Sequence, residues 1–168
     1  TTDGIVNMMS PAIDEYLATG VEPLRGRTLL SGQHAWYNIY ETRDGKFISV
    51  GAIESRFYSE LCRLIGLEDL IPHQYAQGDK REELFRRFRS AFLSRTRDEW
   101  MSVLGTGDTC ATPVYTISEM VDDPNLLHRE MVIEVEHPEL GKVRQAGIMV
   151  KLSETPGEVR HVDPKPAD

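Results

Sequence analysis

WYNIYETRDGKFISVGAIESRFYSELCRLIG, residues 36–66, passes from one apolar period to another within a single stretch. WYNIYET and KFISVGAI alternate as strands do, and Arg43-Asp44-Gly45 lies between them. Asp-Gly is a preferred pair for a tight two-residue hairpin turn, so an antiparallel hairpin is predicted, its second strand running to Ile53. From Glu54 the period becomes helical, with Phe57, Tyr58, Leu61, Cys62 and Ile65 on one face, Arg63 in the last turn and Gly66 as the cap. Glu54 therefore stands where strand hands over to helix. As a structural group it would cap the free amides of the helix start and gain from the helix dipole, a task Ser55 could share. As a participant in catalysis it would need an apolar wall, supplied by Ala52 and Ile53, and an acid/base partner, which the neighbouring residues do not supply.

Around this unit the chain reads as mixed. Ile5, Met8, Met9, Ile13, Tyr16 and Leu17 recur at helical spacing before Gly20, which predicts a helix with an interior face, kinked or divided by Pro11. VEPLRGRTLLSGQHA, residues 21–35, is a connecting segment, and Ser31-Gly32-Gln33 within it a turn. Leu84, Phe85, Phe88, Phe92 and Leu93 mark another helix. A shorter one covers Asp98 to Leu104, with Thr96 as N-cap and Glu99 completing a capping box. TCATPVYT is extended, Ser118 to Val121 a turn of helix ended by Asp123-Pro124. VIEVEHPELGKVRQAGIMVKL holds two strands about a turn at His137 to Gly141, and the proline-rich end, residues 153–168, wraps a surface or frays. The fold class is α+β: a small domain with an antiparallel hairpin or sheet packed by helices, followed by a β-rich C-terminal segment.

The bulk numbers bound the function. A chain of 168 residues can bury a core without a metal or disulfide staple. Its formal charge of -8 disfavours nucleic acid and anionic membrane as partners, and no apolar run approaches the ~20 residues that span a bilayer. The local basic cluster of Lys80, Arg81, Arg86, Arg87, Arg89, Arg95 and Arg97 reads as a solvated helix face, with a phosphate on a small ligand as the alternative. Cys62 and Cys110 are both expected to be buried thiols, which suits a cytoplasmic location. The five histidines never approach metal-ligand spacing, so no metal is expected. Neither a Gly-x-Ser-x-Gly elbow nor a phosphate loop is present. By its own residues the chain holds part of a site: an acid, a glycine turn and aromatic walls, with no nucleophile and base.

GQHAWYNIYETRDGKFISVGAIESRFYSELCRLIGL, residues 32–67, resembles the middle of the family III CoA-transferases, the group that includes the α-methylacyl-CoA racemases and the L-carnitine dehydratase / bile-acid-inducible protein F enzymes. The likeness continues in order through Arg97-Asp98-Glu99-Trp100, Asp108-Thr109-Cys110-Ala111-Thr112-Pro113-Val114, Asp123-Pro124 with Leu127 and Arg129, and the Gly147 region. Members of this family are about twice this length or more, a size that means two domains. The resemblance implies that residues 1–34 are a helix and linker from a large Rossmann-like N-terminal domain, 35–115 the small α+β domain and 116–168 a segment returning toward the large domain. It implies a coenzyme A thioester as substrate, the large domain and acyl-CoA as partners, and a homodimer for the full-length protein. The transferases' catalytic aspartate and the racemases' histidine and aspartate pair would lie in the large domain.

Glu54 matches the glutamate of the family's GAIE motif, which faces the active site and supports the acid/base pair. Tyr37 matches an aromatic beside the acyl group, and Gly32, Gln33 and Ile53 complete the expected substrate wall. The transferases carry a glycine-rich loop at Ser31-Gly32-Gln33, and its reduction here to one glycine tilts the resemblance toward racemase-like chemistry over CoA transfer. A non-catalytic α+β binding module that keeps the scaffold is the alternative to an enzyme fragment.

Overall fold

A computed structural model describes residues 1–159. The described residues form two compact units, 1–114 and 115–159.

In the first unit, β1 (Tyr37–Glu41) and β2 (Phe47–Gly51) form the expected antiparallel hairpin, and β3 (Ala111–Val114) adds to the free edge of β2. Tyr40 opposite Ile48 and Asn38 opposite Val50 set the register. The turn is longer than the two-residue form. Thr42 N donates to the Lys46 carbonyl at 2.8 Å, Gly45 N to the Thr42 carbonyl at 2.9 Å, and Gly45 sits at φ +72°. This is a type I turn closed by a left-handed glycine, which only glycine enters without strain. The loop is also tied to distant residues: Arg43 N donates to the Arg95 carbonyl, and Asp44 Oδ1 accepts from Thr42 Oγ1 and from Arg97 N.

β2 ends at Gly51, two residues before the expected end: Ala52 N still donates to the Trp36 carbonyl at 2.9 Å, in register with the β1–β2 pairing, but Ile53 N folds back onto the Gly51 carbonyl at 3.0 Å. The helix α3 (Ser55–Leu64) then follows, and Gly66 at φ +73° closes it. A 3₁₀ turn over Glu68–His73 leads to α4 (Gly78–Phe92) and α5 (Arg97–Leu104), whose capping box between Thr96 and Glu99 forms as read from the sequence. One face of the sheet contributes Tyr40, Ile48 and Val50 to a core completed by Phe57, Tyr58, Leu61, Cys62, Leu84, Phe88, Phe92, Trp100 and Leu104. Rings fill it in offset contact, Tyr40 on Phe92 at 4.8 Å and Phe92 against Trp100 at 5.6 Å between centroids. Each buried phenol and indole of this set is answered: Tyr40 donates to the Ala35 carbonyl, Tyr58 to that of Leu70 and Trp100 to that of Phe92.

Three expectations are corrected here. The N-terminal helix does divide, into α1 (Thr2–Met8) and α2 (Ser10–Thr19) with Pro11 in the first turn of the second, but neither half has an interior face: no residue of either is buried. Ile5, Val6, Met8, Met9, Tyr16 and Leu17 are all exposed. Cys110 is exposed, unlike Cys62, because it occupies a left-handed position (φ +50°) just before β3, off the strand alternation. The basic cluster divides. Lys80, Arg81 and Arg87 pair with acids on the surface, whereas Arg97 is buried, its Nη1 donating to the Val114 carbonyl and its Nε to Asp98.

In the second unit, α6 (Ile117–Met120) starts from another capping box, Thr116 with Glu119. Asp123-Pro124, expected to end a helix, also begins one: α7 (Pro124–His128) has Asp123 as N-cap, bonding the amides of Asn125 and Leu126. Proline costs nothing in the first turn, where its missing N–H would be unsatisfied anyway. β4 (Val132–His137) and β5 (Gly141–Ala146) pair about the predicted turn. Gly147 follows, with its N donating to the Met131 carbonyl. A Cβ there would lie 1.8 Å from the Glu130 carbonyl oxygen, so only glycine permits this approach. Of the proline-rich end, residues 160–168 lie outside the described residues.

Candidate functional site

The sheet face opposite the core is only partly covered, and a groove of about 440 Å³ opens over it. Alternation puts Tyr37, Ser49 and Gly51 on this face because Tyr40, Ile48 and Val50 take the other. Leu30 to Gly32 form one bank, and Cys110 the far end. The bank is folded on itself: Thr28 N donates to Ser31 Oγ at 3.0 Å, Ser31 N returns to the Thr28 carbonyl at 3.1 Å, and Asn38 Nδ2 donates to the Gly32 carbonyl at 3.3 Å. Gly32 has φ +103°, a value closed to residues with a side chain.

Glu54 is the N-cap residue of α3 in position and extended in backbone (φ -72°, ψ 139°), yet its side chain makes no capping bond. Its carbonyl starts the helix by accepting from Tyr58 N at 3.0 Å, while its side chain is exposed. The amide-capping role expected of it is thus not the one it performs. The charge reaches the groove through Cys110, whose thiol is pushed up by burial first and by the charges of Asp108 and Glu54 after it. Cys110 also binds the groove floor to the strand exit, its carbonyl accepting from Gly51 N at 2.9 Å.

Of the five residues singled out in the sequence, Gly32 and Tyr37 line one groove. Glu54 stands beside the groove's Cys110 end. Gln33 and Ile53 do not line it. Gln33 N closes the loop by donating to the Thr28 carbonyl at 3.3 Å. Ile53 instead offers its carbonyl to Gln74 Nε2 at 2.7 Å. Sequence reasoning passed over Asn38, Ser49, Cys110 and Gln74. Only Asn38 and Ser49 carried a local signal, as polar residues at alternating strand positions.

Beneath the strand exit lies an aromatic cluster. His34 stacks on Trp36 at 4.5 Å and 8° between planes, and Tyr75 meets both edge-on. Burial, with a smaller effect of Arg81, holds the His34 imidazole below its usual range. The buried Cys62 thiol is pushed up to about 11, chiefly by burial, and is inert at neutral pH. No group of three His, Cys, Asp or Glu among the described residues could hold a metal ion, and no described helix is long and apolar enough to cross a membrane.

The groove is lined by the Ser31 and Ser49 hydroxyls, the Asn38 amide and the Cys110 thiol, with no histidine or carboxylate among its lining residues. The profile of CoA-transferase family III matches residues 1–167, and the chain belongs to that family. It is 35% identical over 120 residues to α-methylacyl-CoA racemase of Homo sapiens, covering 71% of this chain and 31% of that protein. Succinyl-CoA–D-citramalate CoA-transferase of Chloroflexus aurantiacus is 30% identical over 168 residues, covering 96% of this chain and 41% of that protein. Among solved structures, Rv3272 from Mycobacterium tuberculosis superposes with a TM-score of 0.66 at 21% identity, over 94% of this chain and 41% of that one. A CAIB/BAIF family protein from Brucella suis gives 0.66 at 18%, over 89% and 39%. The chain thus spans about a third to two-fifths of the length of the relatives it matches.

Proposed function

We propose that this chain forms the small-domain wall of an acyl-CoA-processing site, completed by an N-terminal large domain, and that its chemistry is racemase-like. The observation that carries the reading is Glu54: an acid at a helix start that leaves capping undone and keeps its carboxylate free beside the groove. Support comes from the racemase and CoA-transferase names of the relatives.

The chemistry is removal of a proton from the carbon next to a thioester carbonyl. The thioester acidifies that carbon. One base takes the proton from one face, the electron pair moves onto the carbonyl oxygen, and an acid on the opposite face returns a proton to carbon with inverted configuration. Donors must stabilise the enolate oxygen, and in this reading both they and the acid/base pair belong to the large domain. Glu54 supports that pair from this side, holding a partner's proton by hydrogen bond. Tyr37 and the Gly32 bank form the surface along which the acyl portion lies. Gln33, which backs the bank, and Ile53, which holds the Glu54 turn, act at one remove. The full protein works as a homodimer in the cytoplasm, where Cys110 stays reduced.

The test is exchange of the α-proton of a 2-methylacyl-CoA with solvent deuterium, by this chain alone and mixed with an N-terminal large domain of the family. The chain alone is expected to be inactive and the mixture active, with Glu54→Gln lowering exchange about 100-fold, the lower end of what acid/base groups contribute. Equal exchange with Glu54→Gln would sink the reading. CoA transfer is the second reading, favoured by the transferase relative that covers nearly the whole chain. It would capture the acyl group on a carboxylate nucleophile and release CoA thiolate, which returns to the enzyme carbonyl and expels the first acid. The CoA then passes by the reverse two steps to a second acid, freeing the enzyme carboxylate. Formation of a new CoA thioester from an added carboxylic acid, without α-proton exchange, would select it. Tight acyl-CoA binding by the chain alone, with no turnover in the mixture, would instead identify a binding module.

A further inference from the structure

Three hydrogen bonds form a circuit immediately before Glu54. Ala52 N donates to the Trp36 carbonyl at 2.9 Å, Trp36 Nε1 to the Gln74 carbonyl at 2.8 Å, and Gln74 Nε2 to the Ile53 carbonyl at 2.7 Å. The circuit joins three segments far apart in sequence: the approach to β1, the exit from β2 and the end of the 3₁₀ turn. Trp36 and Ala52 are fully buried and Gln74 has 7% of its surface exposed, while Ile53 is half-buried. The Ile53 carbonyl lies one residue before the N-cap, so it accepts no bond from the α3 ladder and is open to a side-chain donor. The Tyr75 hydroxyl lies 3.5 Å from the same oxygen, a long second contact. Ala52 to Glu54 lie between strand and helix: Ala52 N makes a last rung to Trp36, the Glu54 carbonyl takes the first bond of α3, and the Ile53 carbonyl between them is held by neither. The side chain of Glu54 contributes no capping bond that could fix the turn from its own end.

We infer that Gln74 is a positioning residue for Glu54: its buried amide holds the Ile53–Glu54 peptide to the core and so aims an otherwise unanchored carboxylate along the groove. The inference rests on the reading of Glu54 as part of the acyl-CoA site, and it divides the labour at this corner. Fine placement comes from a residue twenty positions downstream, while the reacting surface carries no bond that would have to break when a partner's group arrives.

The backbone readout is independent of turnover. In Gln74→Met, which keeps the volume and removes the donor, the ¹⁵N order parameter of Glu54 is expected to fall from about 0.85 to below about 0.6, with the amides of Tyr58 and Leu61 unchanged. Gln74→Glu serves as the second variant and covers a failure of the methionine form to fold. Its protonated carboxyl donates to the Ile53 carbonyl and keeps Glu54 ordered, whereas its ionised form cannot donate and frees it. In the mixture with a large domain, Gln74→Met is expected to lower kcat for α-proton exchange about tenfold with KM unchanged. An ordered Glu54 in folded Gln74→Met, and in ionised Gln74→Glu, overturns the inference. So does full activity of Gln74→Met where Glu54→Gln is impaired. If Glu54 loosens but Glu54→Gln costs no activity, the acyl-CoA reading of Glu54 fails and the positioning role falls with it, while the circuit survives as a backbone anchor.

Discussion

Residues 2–19 and residues 55–64 carry the same message in sequence, apolar side chains at helical spacing closed by glycine, and they meet opposite fates. α3 buries Phe57, Tyr58, Leu61 and Cys62, while α1 and α2 bury nothing. Met8 is 84% exposed and Leu17 74%. Periodicity states which face of a helix wants cover and is silent on what covers it. In α3 the cover comes from the 3₁₀ turn, α5 and, through Tyr58 stacked on Phe88, α4 of the same unit. For α1 and α2 the cover goes no further than half-burial at Ala12 and Ile13, and the chain spans only part of its relatives' length.

Substitutions can sharpen that contrast. The largest expected effect is in the packed region: Phe88→Ala, at a fully buried ring between Tyr40 and Tyr58, should cost about 3–5 kcal/mol in urea unfolding. Thr96→Ala removes the reciprocal cap of α5 and should cost about 1 kcal/mol by the same measurement. A smaller effect is tied to pH. The folded state lowers the His34 imidazole below its ordinary 6.5, so the unfolded chain binds the proton more readily. The stability this contributes is complete above about pH 6.5 and is lost as pH falls below it. Replacing His34 by phenylalanine should flatten the fall in Tm between pH 7 and pH 5, and an unchanged slope would show that His34 has no part in it. Met8→Lys with Leu17→Lys should change stability by no more than about 0.5 kcal/mol. The same pair should abolish self-association in sedimentation velocity and binding of a hydrophobic dye, since exposed apolar faces of this kind drive both. A loss of several kcal/mol there would break the comparison and show that α1 and α2 are packed in solution.

What was legible followed from chemistry carried by neighbouring residues. Thr96 with Glu99, and Gly20 and Gly66 at helix ends, are local devices and form as written. The alternation of WYNIYET against KFISV assigned the two strands and their hairpin. Where a distant group competes, local reading fell short. The turn at Asp44-Gly45 lengthened because Asp44 is engaged by Thr42 and by Arg97 N. β2 stopped early because Ile53 folds back, its N onto the Gly51 carbonyl while its own carbonyl is taken by the distant Gln74. Asp123-Pro124 was ambiguous in principle, since the same pair can stop one helix and start the next. Glu54 was legible as a position and not as a state, because whether an N-cap acid caps depends on a rotamer that spacing does not encode. The groove was invisible for a further reason: its walls, Gly32, Tyr37, Ser49 and Cys110, meet only after the sheet has formed.

The hairpin tip bears on how the protein can be handled. Exposed loop ends are ordinarily the permissive places for an epitope tag, a fluorophore graft or a new chain terminus. Here Arg43 and Asp44 double as fasteners for the start of α5, through the Arg95 carbonyl, Arg97 N and the Glu99 carboxylate. A graft between Asp44 and Gly45 would unseat that helix along with the turn, so circular permutation and labelling belong elsewhere on the chain.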